Sequence, residues 1–586
     1  MNNRQMALRF VLTAIFFMLI MVGLGSRLAF LHLGPHGDFR DNIKQHRQFE
    51  KAIAVRRGNI CDRGGLHNIL ALDLAVKDVC AEPKMIVAMN AVLDVASKLA
   101  EYLDLPVDEV AVKLNRPKRL YSRIKRFVPA DLAAQIQAEK LPGVFLRDAN
   151  VRYYPQRSFM CHVLGFVNYE GTGSAGVEQR MHSYLKGSPG MLESEVDALR
   201  HELYLQRGRY IPGMEGSDVQ LTLDQNVQHI VEKVLDSTLE EYPKAKGAWC
   251  IIQRVRTGEI LAMASRPDYD LNDFGTTSND AKLNRAIGSV YEPGSTMKAV
   301  CFAAVLNEGL VTPDTVLSCE NGIWYYKGRP LRDSHPHGDL TVADGLKKSS
   351  NILTAKLSLM LGNERLHKYM SDFGVGKRLG IDLPGEEGGI FHPLSKWSGI
   401  SPTRIPIGQG VAVTALQMVG VYATIANDGY LMRPHVVQRV TASDGTVVYN
   451  AEPQVLARVI RPETAATMRR LLVRVTEDGG TGRRGRVDGY QVAGKTGTAQ
   501  KAIPGGYSDT DYVASFVGFL PADSPELAII VVVDEPQKFH GGGKVAAPAF
   551  SKIATEVACC LGLQPPSAEV IRSNSWVADT EPDSRF

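Results

Sequence analysis

Ser295-Thr296-Met297-Lys298 places a hydroxyl and an amine three positions apart, directly after the turn-forming pair Pro293-Gly294. Residues at i and i+3 share one face of a helix, so Lys298 can reach the Ser295 hydroxyl. A serine is a poor nucleophile until a base takes its proton. Lysine is that base only when neutral, a state that burial or a second cation nearby favours. The start of a helix adds partial positive charge and free N–H groups where an oxyanion would form. The chemistry this spacing allows is acyl transfer through a serine ester. Ser122-Lys125 and Ser183-Lys186 repeat the spacing. Neither follows a Pro-Gly turn into an apolar helix, and both are taken as surface coincidences.

Two further segments single out Ser295. Ser349-Ser350-Asn351 is the only Ser-x-Asn in the chain, and Lys495-Thr496-Gly497 is the only Lys-Thr-Gly. The elements that must position these residues are legible from periodicity and punctuation. The Ser295 helix runs to about residue 306 and ends at Gly309. Helical patterns at 343–348 and 352–361 put Ser349 at a helix–helix corner, with Ser350 packing or capping there. Strand signals at 491–500, 512–519 and 527–533 place Lys495 on a strand. A hairpin spans 249–253 and 260–264 about a turn at Thr257-Gly258. Asp224 caps a helix over 225–239, after a strand over 218–223. Further helices are predicted at 412–427, 463–476 and 547–561. A hairpin at one end and a strand pair at the other, enclosing helices, make an α+β domain with an antiparallel sheet.

At 586 residues the chain exceeds one ordinary domain. Its 44% hydrophobic and 22% charged content is ordinary for globular proteins. A net charge of +4 gives no reason to expect a nucleic-acid partner. Residues 10–26 carry no charge and lie between Arg9 and Arg27. With 28–31 they approach the roughly 20 residues needed to cross a bilayer. Arg4 and Arg9 precede them and no acid does, which keeps the N-terminus cytoplasmic and the rest outside. The expected division is a cytoplasmic N-terminus at 1–9, an uncleaved transmembrane anchor at 10–31, a pedestal at 32–215, a linker at 216–240, the α+β domain at 241–565, and a polar disordered tail at 566–586.

The eight cysteines follow no disulfide or zinc spacing and are expected to be small buried hydrophobes, Cys559-Cys560 included. Gly480-Thr481-Gly482-Arg483-Arg484-Gly485 matches a dinucleotide fingerprint literally, but it follows a helix rather than a strand. It is read as a loop at the active site. His335 and His337 flank a proline in a loop and are not expected to hold metal, and His540 with Gly541-Gly542-Gly543 reads as a turn before the last helix. No cofactor is expected. Arg57, Asp62 and Arg63 sit in a turn-dense stretch and are expected to be salt-bridged structural residues.

These residues together resemble the class B penicillin-binding proteins, the monofunctional peptidoglycan DD-transpeptidases. The resemblance covers nearly the whole chain. It runs through the anchor, 57–63, Gly176-Val177-Glu178, 284–288, Tyr291 to Lys298, Ser349 to Asn351, Gly408-Gln409-Gly410 and 494–499. The Tyr-Glu-Pro-Gly-Ser context is more similar to the septal, division-specific enzymes than to the elongation ones. The resemblance implies an extended pedestal carrying a transpeptidase domain with a five-stranded antiparallel sheet. It also implies roles. Ser295 attacks a stem peptide ending in D-Ala-D-Ala, Lys298 is its general base, and Ser349 passes a proton to the leaving D-Ala. Asn351 bonds a substrate amide and helps hold Lys298. Lys495 lowers the Lys298 pKa. Thr496, Gly497 and Thr498 complete the substrate site, with the Ser295 and Thr498 N–H groups as oxyanion hole. An acceptor amine then resolves the acyl-enzyme, and β-lactams acylate Ser295. Implied partners are a SEDS-type glycan polymerase and other divisome proteins. The alternatives are an elongation-specific transpeptidase, an anchored DD-carboxypeptidase or β-lactamase-like hydrolase, and, least favoured, a β-lactam sensor.

Overall fold

The computed structural model describes residues 3–33, 48–196, 202–537 and 539–565. The tail expected to be disordered lies outside the described residues. The first helix, α1, spans Asn3–Leu33. Its segment Arg4–His32 is long and apolar enough to cross a membrane.

The chain divides into two units, residues 1–55 with 188–214, and residues 56–187 with 215–586. The first contains α1 and a three-stranded antiparallel sheet in which Gly190–Val196 pairs with both Gln48–Ile53 and Glu202–Ile211.

The second unit holds every residue proposed above for chemistry. Its main sheet is built from β1 (Gly247–Arg254), β2 (Ile260–Arg266), β3 (Ala493–Ile503), β4 (Gly506–Leu520) and β5 (Leu527–Asp534). The order is β2-β1-β5-β4-β3, and every pair is antiparallel. This is the expected five-stranded antiparallel sheet, and β3 is one of its edges. Side chains alternate across a strand. On β5, Ile529, Val531 and Val533 join a core with α2 (Gln225–Glu241) and the last helix, whereas Ala528, Ile530 and Val532 join the opposite core. Both faces are covered, which is why β5 reads as an unbroken apolar run.

The second core contains α3 (Lys298–Asn307), α4 (Val342–Lys347), α5 (Asn351–Leu361), α6 (Ala415–Ala426) and α7 (Pro462–Thr476). The last helix is α8 (Ala546–Cys560). In α3 every residue from Lys298 to Val305 is buried, and in α6 all twelve are. Helices apolar on all sides are core helices, and each buried side chain the size of Phe302 contributes about 1.5–3 kcal/mol. Asp224 caps α2 as expected, accepting from the N–H groups of Asn226 and Val227.

A second sheet of seven strands runs through residues 60–153 and takes in Asp218–Leu221, Val437–Thr441 and Val447–Asn450. Asp218–Leu221 lies between Ile60–Cys61, parallel to it, and Val437–Thr441, antiparallel. Beside it, Glu178 bridges Arg57 and Arg152, both at 2.6 Å, and Arg152 also meets Asp73 at 3.2 Å. Arg57 therefore has the expected salt-bridged structural place. Asp62 instead ties a turn, accepting from Gly64 N, Asn68 Nδ2 and Gln225 N.

Two expectations are corrected. Six cysteines are buried, but Cys559 and Cys560 are exposed, because the last turn of α8 ends at the surface. Ser122 is buried, not superficial, and opens the strand Ser122–Val128. Positions three apart on a strand face opposite ways, so Ser122 and Lys125 cannot form a pair.

Candidate active site

Ser295 does not open the α-helix itself. It lies in a 3-10 turn, Gly294–Met297, which hands over to α3 at Lys298. The tighter turn follows from its entry, because Gly294 has φ +55°, a conformation open to glycine, and is crowded on two sides. A Cβ on Gly408 would stand 2.2 Å from the Gly294 carbonyl oxygen, and one on Gly497 would stand 2.9 Å from the Pro293 carbonyl oxygen. Three glycines thus let the Ser295 turn, the 408–410 loop and the edge strand β3 meet at backbone distance. Tyr422, fully buried in α6, donates its hydroxyl to the Thr296 carbonyl at 2.9 Å and fixes the turn from below.

Ser349 occupies the corner between α4 and α5, as the sequence indicates, with φ +61°. A serine in this left-handed region carries roughly 1–3 kcal/mol of strain, which the surroundings must hold in place. Ser350 does so by capping α5. Its Oγ accepts from Leu353 N at 3.1 Å and donates to Asp333 at 2.7 Å. Asp333 also accepts from the N–H groups of Asn351 (2.5 Å) and Ile352 (3.0 Å).

The two lysines converge on Ser349. Lys298 Nζ donates to the Ser349 carbonyl at 2.6 Å and to its Oγ at 3.0 Å, while Lys495 Nζ donates to the same Oγ at 2.9 Å. Both amines are wholly buried. Burial pushes the Lys298 amine down to about 7, with the Asp333 carboxylate pulling it partly back up. Lys495 is also driven well down, first by burial and then by the Lys298 charge. Lys495 is expected from the sequence to depress Lys298; burial does so instead, and it is Lys298 that depresses Lys495. A neutral Lys298 giving two protons to Ser349 keeps one lone pair for an incoming proton.

Ser295, Ser349, Asn351, Thr496 and Thr498 line one cleft of about 870 Å³. Thr498 Oγ1 accepts from Gly542 N at 3.0 Å, and Thr496 Oγ1 donates to Thr481 Oγ1 at 3.0 Å. Gly497 serves by having no side chain, since a Cβ there would stand 2.3 Å from Ser515 Oγ. Asn351 faces the cleft, but its amide donates to the Arg332 carbonyl at 2.8 Å. It braces the Arg332-Asp333 turn, and Ser349 holds Lys298 in its stead.

Sequence reasoning missed Asp333, Gly542 and Glu292 as parts of this site. Thr481 lies in the segment expected to be an active-site loop, and that loop does line the cleft, through Thr481, Arg483 and Arg484. Gly542 carries no sequence signal beyond that of a turn. For Asp333 a carboxylate before a helix start was the available signal, obscured by the residues between it and Ser350.

Residues 248–555 match the penicillin binding protein transpeptidase domain, and residues 52–221 the penicillin-binding protein dimerisation domain. The chain is 33% identical over 538 residues to the peptidoglycan D,D-transpeptidase FtsI of Escherichia coli K12, covering 90% of this chain and 87% of that one. It is 31% identical to the stage V sporulation protein D of Bacillus subtilis 168, covering 98% and 89%. A crystal structure of penicillin binding protein 3 from Mycobacterium tuberculosis complexed with aztreonam superposes with a TM-score of 0.69 at 30% identity, covering 88% and 98%.

Proposed function

This chain belongs to the class B penicillin-binding proteins, and on that premise we propose that it crosslinks peptidoglycan by acyl transfer through Ser295. The observation that carries the proposal is the pair of buried lysines sharing the Ser349 hydroxyl beside a cleft that Ser295 lines. Neutral Lys298 takes the Ser295 proton as Oγ attacks the carbonyl of the penultimate D-Ala. Ser349 relays a proton from Lys298 to the leaving D-Ala nitrogen. The N–H groups of Ser295 and Thr498 hold the oxyanion, a contribution of about 3 kcal/mol for each such donor. Thr496 and Thr498, with Lys495 behind them, take the terminal carboxylate, and Asn351 meets a substrate amide. An amine from a neighbouring stem peptide then displaces Ser295 and completes the crosslink. A β-lactam enters as the donor does and stays bound to Ser295.

The family matches at 52–221 and 248–555 support a pedestal at 32–215 and a transpeptidase domain at 241–565; the anchor at 10–31 rests on the apolar helix, and the linker proposed at 216–240 holds a strand and most of α2. α1 anchors the protein, with residues 1–9 cytoplasmic and the catalytic domain outside, a sense supported by Arg4 and Arg9. The septal role rests on the Tyr291-Glu292-Pro293-Gly294-Ser295 context, and a SEDS-type polymerase with other divisome proteins would be its partners.

The test is labelling by a fluorescent penicillin. Ser295→Ala should abolish it, while Ser122→Ala and Ser183→Ala should not. Persistent labelling of the Ser295 variant would refute the mechanism. A tagged protein concentrating at midcell in dividing cells would support the septal role, and a side-wall distribution would remove it.

A further inference from the structure

Among the described residues lining the Ser295 cleft, the charged side chains are Lys348, Arg483, Arg484 and Lys544, against a single carboxylate, Glu292. Such a wall suits the donor, whose end is an anion. It does not suit the acceptor, which arrives as a primary ammonium and would be repelled by these four cations. Glu292 is the exception, three positions before Ser295 and half-buried. Gly410 N donates to it at 2.8 Å and the Tyr507 hydroxyl at 3.2 Å, and both bonds fall on Oε1. The loop 408–410 and the β3–β4 hairpin thus fix the carboxylate from two sides and leave Oε2 for a donor from the cleft. Burial pushes the Tyr507 phenol up to about 12, so it remains a hydrogen-bond donor to Oε1 at neutral pH.

We propose that Glu292 is the acceptor subsite of this enzyme, binding the side-chain ammonium of the acceptor stem peptide through Oε2 and taking its first proton. The proposal rests on the transpeptidase reading above. The ammonium gives one proton to the Glu292 carboxylate and becomes a neutral amine. Its nitrogen bonds to the acyl carbon as the bond from that carbon to Ser295 Oγ breaks. The second proton of the amine passes to Ser295 Oγ, and Glu292 returns its proton to solvent. Burial also raises the Glu292 carboxyl above its ordinary value, which brings it closer to the basicity this transfer needs.

The experiment uses the full chain in detergent with an N-acyl-D-alanyl thioester as donor. Nα-acetyl-lysine amide, a monocation with one primary amine, competes with water for the acyl-enzyme, and methanol serves as an uncharged nucleophile in parallel. Penicillin labelling normalises each variant to competent enzyme. Glu292→Gln should lower the amine-to-water partition about tenfold or more, the effect of losing one charged hydrogen bond, through a higher apparent KM for the amine. The methanol-to-water partition should move much less, and Glu292→Asp, which keeps the charge, should recover part of the amine preference. Equal loss of amine and methanol partition in Glu292→Gln would overturn the proposal in favour of a purely structural role. An unchanged amine partition would overturn it as well. A parent chain that penicillin does not label would instead refute the transpeptidase reading, and this inference with it.

Discussion

Lys298 is where burial becomes chemistry. A lysine amine usually loses its proton near 10.5, and here burial brings that to about 7. Below that pH the amine is an ammonium and cannot accept the Ser295 proton; above it, it can. The second-order rate of penicillin acylation should therefore rise with pH through about 7 and then level, and a flat profile from pH 5 to 9 would contradict Lys298 as base. Lys298→Met keeps the volume and removes a buried amine. It should lower acylation by about 10²–10⁴-fold, the usual range for a general base, and lower the melting temperature, because the Ser349 carbonyl loses its donor at a cost of about 1–3 kcal/mol. The residue types and spacings of this site were legible in the sequence because a hydroxyl, an amine and a Lys-Thr-Gly strand are rare in that order. What was not legible was the cause of the pKa. Burial is set by α3 being covered on all sides, and no spacing reports that.

At the scale of elements, the site is a joint between a 3-10 turn, a helix corner and a sheet edge, and glycines set how closely they fit. Gly408 and Gly410 both have positive φ, +82° and +73°. Alanine at either has the backbone penalty of about 1–2 kcal/mol. Only at Gly408 would the added Cβ also strike the Gly294 backbone; at Gly410 nothing stands within 4 Å. Gly408→Ala should thus lower both melting temperature and acylation rate well beyond Gly410→Ala, and equal effects would mean the close approach is unimportant. Ser350→Ala removes the cap of α5 and one anchor of Asp333, and should cost about 1 kcal/mol of stability, with acylation falling as Ser349 loses its support. The elements themselves were largely visible beforehand, since the helices at 412–427 and 463–476 and the strands at 491–500 and 527–533 appear within a few residues of where periodicity puts them, and only the strand expected at 512–519 begins well earlier, at Gly506. The contacts of Thr481 and Gly542 with the Lys-Thr-Gly strand were not visible. They join distant loops by hydrogen bonds, and a turn signal gives no address for its partner.

The whole second unit is held by pairings between distant parts of the chain. Glu178 is fully buried between Arg57 and Arg152. Glu178→Gln leaves two buried guanidiniums without their shared charge, and breaking such a pair typically costs about 3–5 kcal/mol. The expected result is a large fall in melting temperature, with penicillin still labelling the fraction that remains folded. The seven-stranded sheet shows the limit of sequence reasoning most plainly. Asp218–Leu221 was recognisable as a strand, yet its neighbours come from residues 60–61 and 437–441, and alternation says nothing about which strand pairs with which. That sheet also dictates a schedule. As the polypeptide leaves the ribosome, the strand at 218–221 emerges with one flank already supplied and the other still to be synthesised. Until residues 437–450 follow, the early portion has an open edge able to recruit strands from other molecules, so this protein completes its front half only when its back half arrives.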